Sequence, residues 1–136
     1  MNLSGIGEIV QHEWLRCVEL RPDMNLSLDE FVVMPDHFHG ILVIGDNEYN
    51  CHYNYCGGAM HRSTTMHCAP TNEFGPQSKN LASIIRGFKS SVTIRARKIN
   101  PAFGWQSRFH DRIIRDDAEY ERIAKYIRDN PKNWNG

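Results

Sequence analysis

The sequence predicts an α+β fold with a small antiparallel sheet, and three patterns predict it. Apolar residues recur at helical spacing near the start, in the middle and near the end of the 136-residue chain. Between the first two lies a run dense in β-branched and aromatic residues, LDEFVVMPDHFHGILVI, from Leu28 to Ile44. The length suits one domain, residues 1–136, with an aperiodic stretch at about 46–78 read as a variable surface loop.

Gly7 to Glu19 carries Ile9, Val10, Trp14, Cys17 and Val18 on one helical arc, and Arg21-Pro22 ends it. In the β-rich run, Phe31, Val32 and Val33 lead into Met34-Pro35-Asp36, so the run is one long strand bent at Pro35 or a tight hairpin. Asp46 to Ser78 is rich in Asn, Gly, His, Tyr and Thr and has no period. From Leu81 to Ile99 the helical period returns. Leu81, Ile84, Ile85, Phe88 and Val92 lie on one arc, and Arg86, Lys89, Thr93 and Arg97 form a second, basic stripe. Asn100-Pro101-Ala102-Phe103-Gly104 closes that helix, and the Ile113-Ile114 pair suggests a strand within Trp105 to Arg115. Asp116 is a suitable N-cap for a last helix, with Glu119 completing a D-x-x-E box and Asn130-Pro131 ending it.

Composition narrows the class of function. No run reaches the roughly 18 to 20 uncharged apolar residues of a membrane span. Met1 to Val10 has no basic segment leading into an apolar stretch, so a cytoplasmic protein without a membrane role is expected. Cys17, Cys51, Cys56 and Cys68 are too few and too unevenly spaced for a disulfide framework and read as reduced thiols. The net charge of zero hides an asymmetry. Residues 1–78 hold three basic and ten acidic side chains, whereas 79–136 hold thirteen basic and six acidic. Such a basic half attracts a polyanion through phosphate contacts that release counterions, although solvated helix faces give the same count.

Two groups of residues carry candidate chemistry. His37 and His39, at i and i+2 of a strand, leave the same face and can bind one metal ion. In the last helix Tyr120, Ile123, Ala124 and Ile127 form the apolar stripe. Tyr126 and Asn130, one turn apart, project together from its flank. Asn130 can add an oxygen ligand, and Tyr126 can present its hydroxyl to whatever the metal polarises. The plain alternatives are hydrogen-bonded histidines, a boundary tyrosine and a helix-stop asparagine.

These same residues resemble the single-tyrosine HUH transposases, and in particular the REP-associated tyrosine transposase group. The resemblance rests on FVVMPDHFHGILVI (Phe31 to Ile44), LASIIRGFKSSVT (Leu81 to Thr93) and WQSRFHDRIIRDDAEYERIAKYIRDNPKNW (Trp105 to Trp134), together with GEIVQHEW (Gly7 to Trp14). It implies a ferredoxin/RRM-like HUH nuclease fold and a metal-dependent endonuclease and strand transferase acting on single-stranded or hairpin DNA. It implies His37, His39 and Asn130 as ligands of Mg²⁺ or Mn²⁺ and Tyr126, in the Y-I-x-x-N-P run, as the nucleophile, with a 5′-phosphotyrosine intermediate. Members of the group usually open with a further strand upstream of the first helix, so this chain, starting at Met1, is expected to lack it and leave an edge beside the histidine strand.

DNA contacts fall to Arg86, Lys89, Arg97, Lys98, Arg108, Arg112 and Arg115, with Trp105 or Phe109 as stacking candidates and core packing as their simpler role. A second copy of the chain is the other candidate partner. Three competing readings remain: a hairpin-binding relic without cutting activity; a zinc module built on Cys51, His52, Cys56, His61, His67 and Cys68; and metal-free histidine cleavage of RNA. The Cys-x4-Cys spacing lacks the tight knuckle of persuasive zinc sites, and i, i+2 histidines suit chelation better than acid–base work.

Overall fold

A computed structural model describes residues 2–49 and 79–134. The architecture is α+β: helix α1 (Gly5–Glu19), strands β1 (Leu26–Val33) and β2 (Phe38–Ile44), and helices α2 (Leu81–Ala96) and α3 (Asp117–Asp129). Short 3-10 turns at Pro22–Met24 and Asn130–Lys132 follow α1 and α3. The cysteine and histidine cluster of residues 51–68 lies outside the described residues.

The β-rich run is a hairpin. Its turn is closed by the Met34 N–H donating to the His37 carbonyl at 2.9 Å. Register runs Leu26↔Ile44 to Leu28↔Leu42, then Phe31↔Gly40 to Val33↔Phe38, so β1 holds one extra residue between Leu28 and Phe31. That bulge restores phase: Leu26 and Leu28 before it, and Phe31 and Val33 after it, all pack into the same core. Among the described residues β2 has no second partner strand.

Two cores lie on opposite faces of the hairpin. On one side α1 and α2 bring Val10, Trp14, Cys17, Ile84, Phe88, Val92 and Ala96 together with Met24 and Leu26. Trp14 meets Phe38 and Phe88 edge to face, at centroid distances of 4.9 and 5.3 Å. On the other side α3 packs Ala124 and Ile127 on Ile41, with Val32, Ile114, Tyr120 and Ile123 around them. The apolar stripe read on the last helix is therefore its packing face.

Helix ends follow local chemistry. Ser4 caps α1 by accepting from Gly7 N–H, so the helix begins two residues before the expected Gly7. Asn80 and Ser83 cap α2 reciprocally. That helix stops at Ala96, three residues short of Ile99, because the Lys98 and Ile99 N–H groups reach carbonyls three residues back. Asp116 caps α3 as expected, accepting from Glu119 N–H. Glu119, however, accepts from Arg115 N–H rather than returning to the cap, and it pairs with Arg112.

The strand expected around Ile113-Ile114 does not form. The segment is irregular, with no strand beside it among the described residues: Ile114 turns into the α3 core, whereas Ile113 is 73% exposed.

Much of the charge asymmetry is resolved within the fold. Glu13, its side chain 1% exposed, pairs with Arg16 and, across to α2, with Arg95 at 2.8 Å. Asp23 pairs with Lys79, and Glu30 with Arg128. Acidic residues of the first half thus dock basic helices of the second.

Candidate functional site: a His-X-His strand facing a tyrosine helix

The alternation of β2 determines where the histidines point. Phe38, Gly40 and Leu42 share the Trp14 face, so His37 and His39 fall with Ile41 on the face covered by α3. Their rings lie 4.9 Å apart. Gly40 leaves room for this arrangement: a Cβ there would stand 2.9 Å from Trp14 Cζ2 and 3.1 Å from Phe38.

Helix α3 places Tyr126 against that pair. The His39 and Tyr126 rings meet edge to face at a centroid distance of 5.4 Å. Beyond the 3-10 turn that follows α3, Trp134 approaches His37 at 5.8 Å. Asn130 lies between these contacts in sequence and keeps helical backbone angles (φ −53°, ψ −46°), so it shares the Tyr126 side of the helix. No hydrogen bond engages its carboxamide among the described residues.

Two electrostatic details favour imidazoles that bind cations. His37 Nδ1 lies 2.5 Å from Asp36 Oδ1, and because a carboxylate only accepts, Nδ1 is the donor, which leaves Nε2 as the ligand nitrogen of the neutral ring. Burial, and next the neighbouring His37, lowers the His39 pKa, so His39 stays neutral near pH 7.

The second tyrosine of α3 has a different role. Tyr120 donates its hydroxyl to Asp29 at 2.7 Å, and that bond, with burial, raises its pKa. One residue on, Glu30 accepts from Arg128 at 2.9 Å. Asp29 and Glu30 are the residues of the β1 bulge, which turns two consecutive acidic side chains toward α3. They hold the helix on either side of Tyr126, itself 58% exposed.

Several basic candidates have structural partners. Lys89 Nζ donates to the Gln106 and Arg108 carbonyls at 3.0 and 2.8 Å, Arg97 Nε to the Phe103 carbonyl, and Arg112 pairs with Glu119. Lys98, Arg108 and Arg115 are exposed, as is Arg86. Trp105 is a core residue, packed on Phe88 and Phe103 with its indole N–H donated to the Lys89 carbonyl. Phe109 is exposed.

Sequence reasoning missed Asp36, Trp134 and the Asp29–Glu30 pair. Asp36 adjoins His37 and was within reach of that reasoning. The bulge pair was not, because its role depends on strand register.

A metal site of three or more His, Cys, Asp or Glu residues does not form among the described residues. No helix among them is long and apolar enough to cross a membrane.

No family model matches the chain. No solved structure matches it. An uncharacterized protein of Haemophilus influenzae is 33% identical over 135 residues, covering 98% of this chain and 69% of that protein. At that identity and coverage, the chain belongs to the same family as the Haemophilus influenzae protein.

Proposed function

We propose that this protein is a divalent-metal-dependent endonuclease and strand transferase of the HUH tyrosine transposase type, acting on single-stranded or hairpin DNA. The observation that supports it most is the convergence of three side chains from two elements. His37, just before β2, and His39, on it, lie with ring centroids 4.9 Å apart, and the Tyr126 ring of α3 stands 5.4 Å from that of His39.

The donors present fit a hard-to-borderline divalent ion. His37 Nε2, a neutral His39 and the Asn130 oxygen form a mixed nitrogen and oxygen set that suits Mn²⁺ and accepts Mg²⁺. Bound there, such an ion supplies electrophilic polarisation of a scissile phosphate.

The chain's own groups do the rest. Tyr126 is exposed and held at a fixed height on α3, so its hydroxyl is available to attack phosphorus. The new bond joins the tyrosine oxygen to phosphorus. The bond to the 3′ oxygen breaks, the phenolic proton passes to solvent, and the leaving 3′ oxygen takes a proton from solvent to become a hydroxyl. The 5′-phosphotyrosine keeps the phosphodiester energy, so a second 3′-hydroxyl reverses the step and joins strands without ATP. Tyr120 is a poor rival because its hydroxyl is committed to Asp29.

The test is incubation of the full chain with end-labelled hairpin DNA and Mn²⁺, followed by a denaturing gel. A covalent adduct in the wild type that is absent from Tyr126→Phe and His37→Ala supports the reading. DNA binding without an adduct marks a hairpin-binding relic instead.

A further inference from the structure

On the other face of the hairpin a groove runs along the outer side of α2, closed by the segment that follows it. It encloses about 490 Å³ and is lined by Ile85, Arg86, Lys89, Thr93, Arg108 and Phe109, among others. It belongs to the α1–α2 layer, across the sheet from His37 and His39.

The groove is built with care at one wall. Lys89 ties the 106–108 backbone to the helix through two carbonyls and sits over the Trp105 ring. Within that tether Arg108 adopts φ 68°, a left-handed conformation unfavourable for an L residue with a side chain. A non-glycine residue held this way gives the wall its shape and brings a guanidinium to the groove. Next to it Phe109 lines the groove and is 41% exposed.

We propose that this groove binds one unpaired nucleotide of a DNA strand, with Phe109 stacking on the base and Arg108 taking its phosphate. The argument rests on the reading of single-stranded DNA as the partner, and it adds a second contact point away from the tyrosine. No carboxylate lines the groove among the described residues, so its field favours an anion. Ile85 provides an apolar floor, and the volume admits a base with its sugar and phosphate. A paired base offers no free ring face, which selects an unpaired one.

The test is fluorescence anisotropy of the full chain with fluorescein-labelled oligo(dT), using Phe109→Ala, Phe109→Trp and Arg108→Gly. Both positions are exposed, and thermal melting checks the fold. Phe109→Ala is expected to weaken binding about tenfold and Phe109→Trp to restore it. Arg108→Gly should raise the melting temperature by relieving the left-handed residue, yet weaken binding. It should also reduce the slope of log affinity against log salt by about 0.7.

Affinity of Phe109→Ala within twofold of wild type overturns the proposal. So does blunt duplex or oligo(rU) binding tighter than oligo(dT). The two readings fail separately. An adduct at Tyr126 with no effect of Phe109→Ala removes the groove alone, whereas weakened binding in Phe109→Ala without any adduct in the wild type removes the nuclease alone.

Discussion

His39 and Tyr126 meet edge to face, with ring centroids 5.4 Å apart and 72° between their planes, although 87 positions separate them in the chain. The contact joins the two chemical groups of the sequence, the strand histidines and the helix phenol. It is also the most direct place to probe the site.

Asp36→Asn should weaken Mn²⁺ binding about tenfold without lowering the melting temperature. The carboxylate that fixes the His37 tautomer is lost, while the exposed side chain supports no core contact. Isothermal titration of Mn²⁺ against both proteins checks this, and equal affinities would show that Asp36 does not orient a ligand.

The two tyrosines of α3 should separate cleanly. Tyr120→Phe removes the bond to Asp29 and should destabilise the fold by about 1 kcal/mol. Tyr126→Phe should stay within about 0.5 kcal/mol of wild type in urea unfolding while abolishing the adduct.

Gly40→Ala should destabilise by about 1–3 kcal/mol, since the new methyl meets the buried Trp14 ring at 2.9 Å. Circular dichroism melts of the two proteins give the comparison. A neutral result would mean that Trp14 and Phe38 can shift apart.

Trp14→Phe should cost far less than Trp14→Ala, for which about 3–5 kcal/mol is expected. The Trp14 indole N–H is buried without a hydrogen-bond partner among the described residues, so its removal offsets part of the lost packing. Chemical denaturation of both variants measures the difference.

Acid should loosen the start of α3. The Arg115 N–H, and then Arg112, lower the Glu119 pKa, so its contribution to stability is complete above the unfolded value near about 4.3 and fades as pH falls through the lower folded value. The gap in melting temperature between wild type and Glu119→Gln should therefore narrow below about pH 4. A gap that does not change with pH would mean that Glu119 is equally acidic in both states.

Periodicity was enough to read the helices, because the apolar arcs of α1, α2 and α3 are wide, whereas the run around Pro35 was legible as β but left a bent strand and a hairpin both open until the pairing of β1 with β2 was seen. It failed at Ile113-Ile114, where two β-branched neighbours lie in irregular chain: one is anchored in a core and the other faces solvent. The face shared by His37 and His39 was legible from their spacing, and the Tyr126–Asn130 side of α3 from helical geometry. That the two faces meet was not, since it depends on how α3 docks. Nor could a count of charges tell that Arg95, Arg128 and Lys79 are engaged by Glu13, Glu30 and Asp23.

The extra residue in β1 sets a reading frame for the whole sheet. Deleting one residue at Asp29 or Glu30 would exchange inside for outside upstream of it, turning Ser27 toward Trp14 and sending Leu26 and Leu28 toward α3. Substitutions along this strand are thus judged position by position, but a change in its length is judged all at once. Side chains here tolerate change more readily than the number of residues between Leu28 and Phe31.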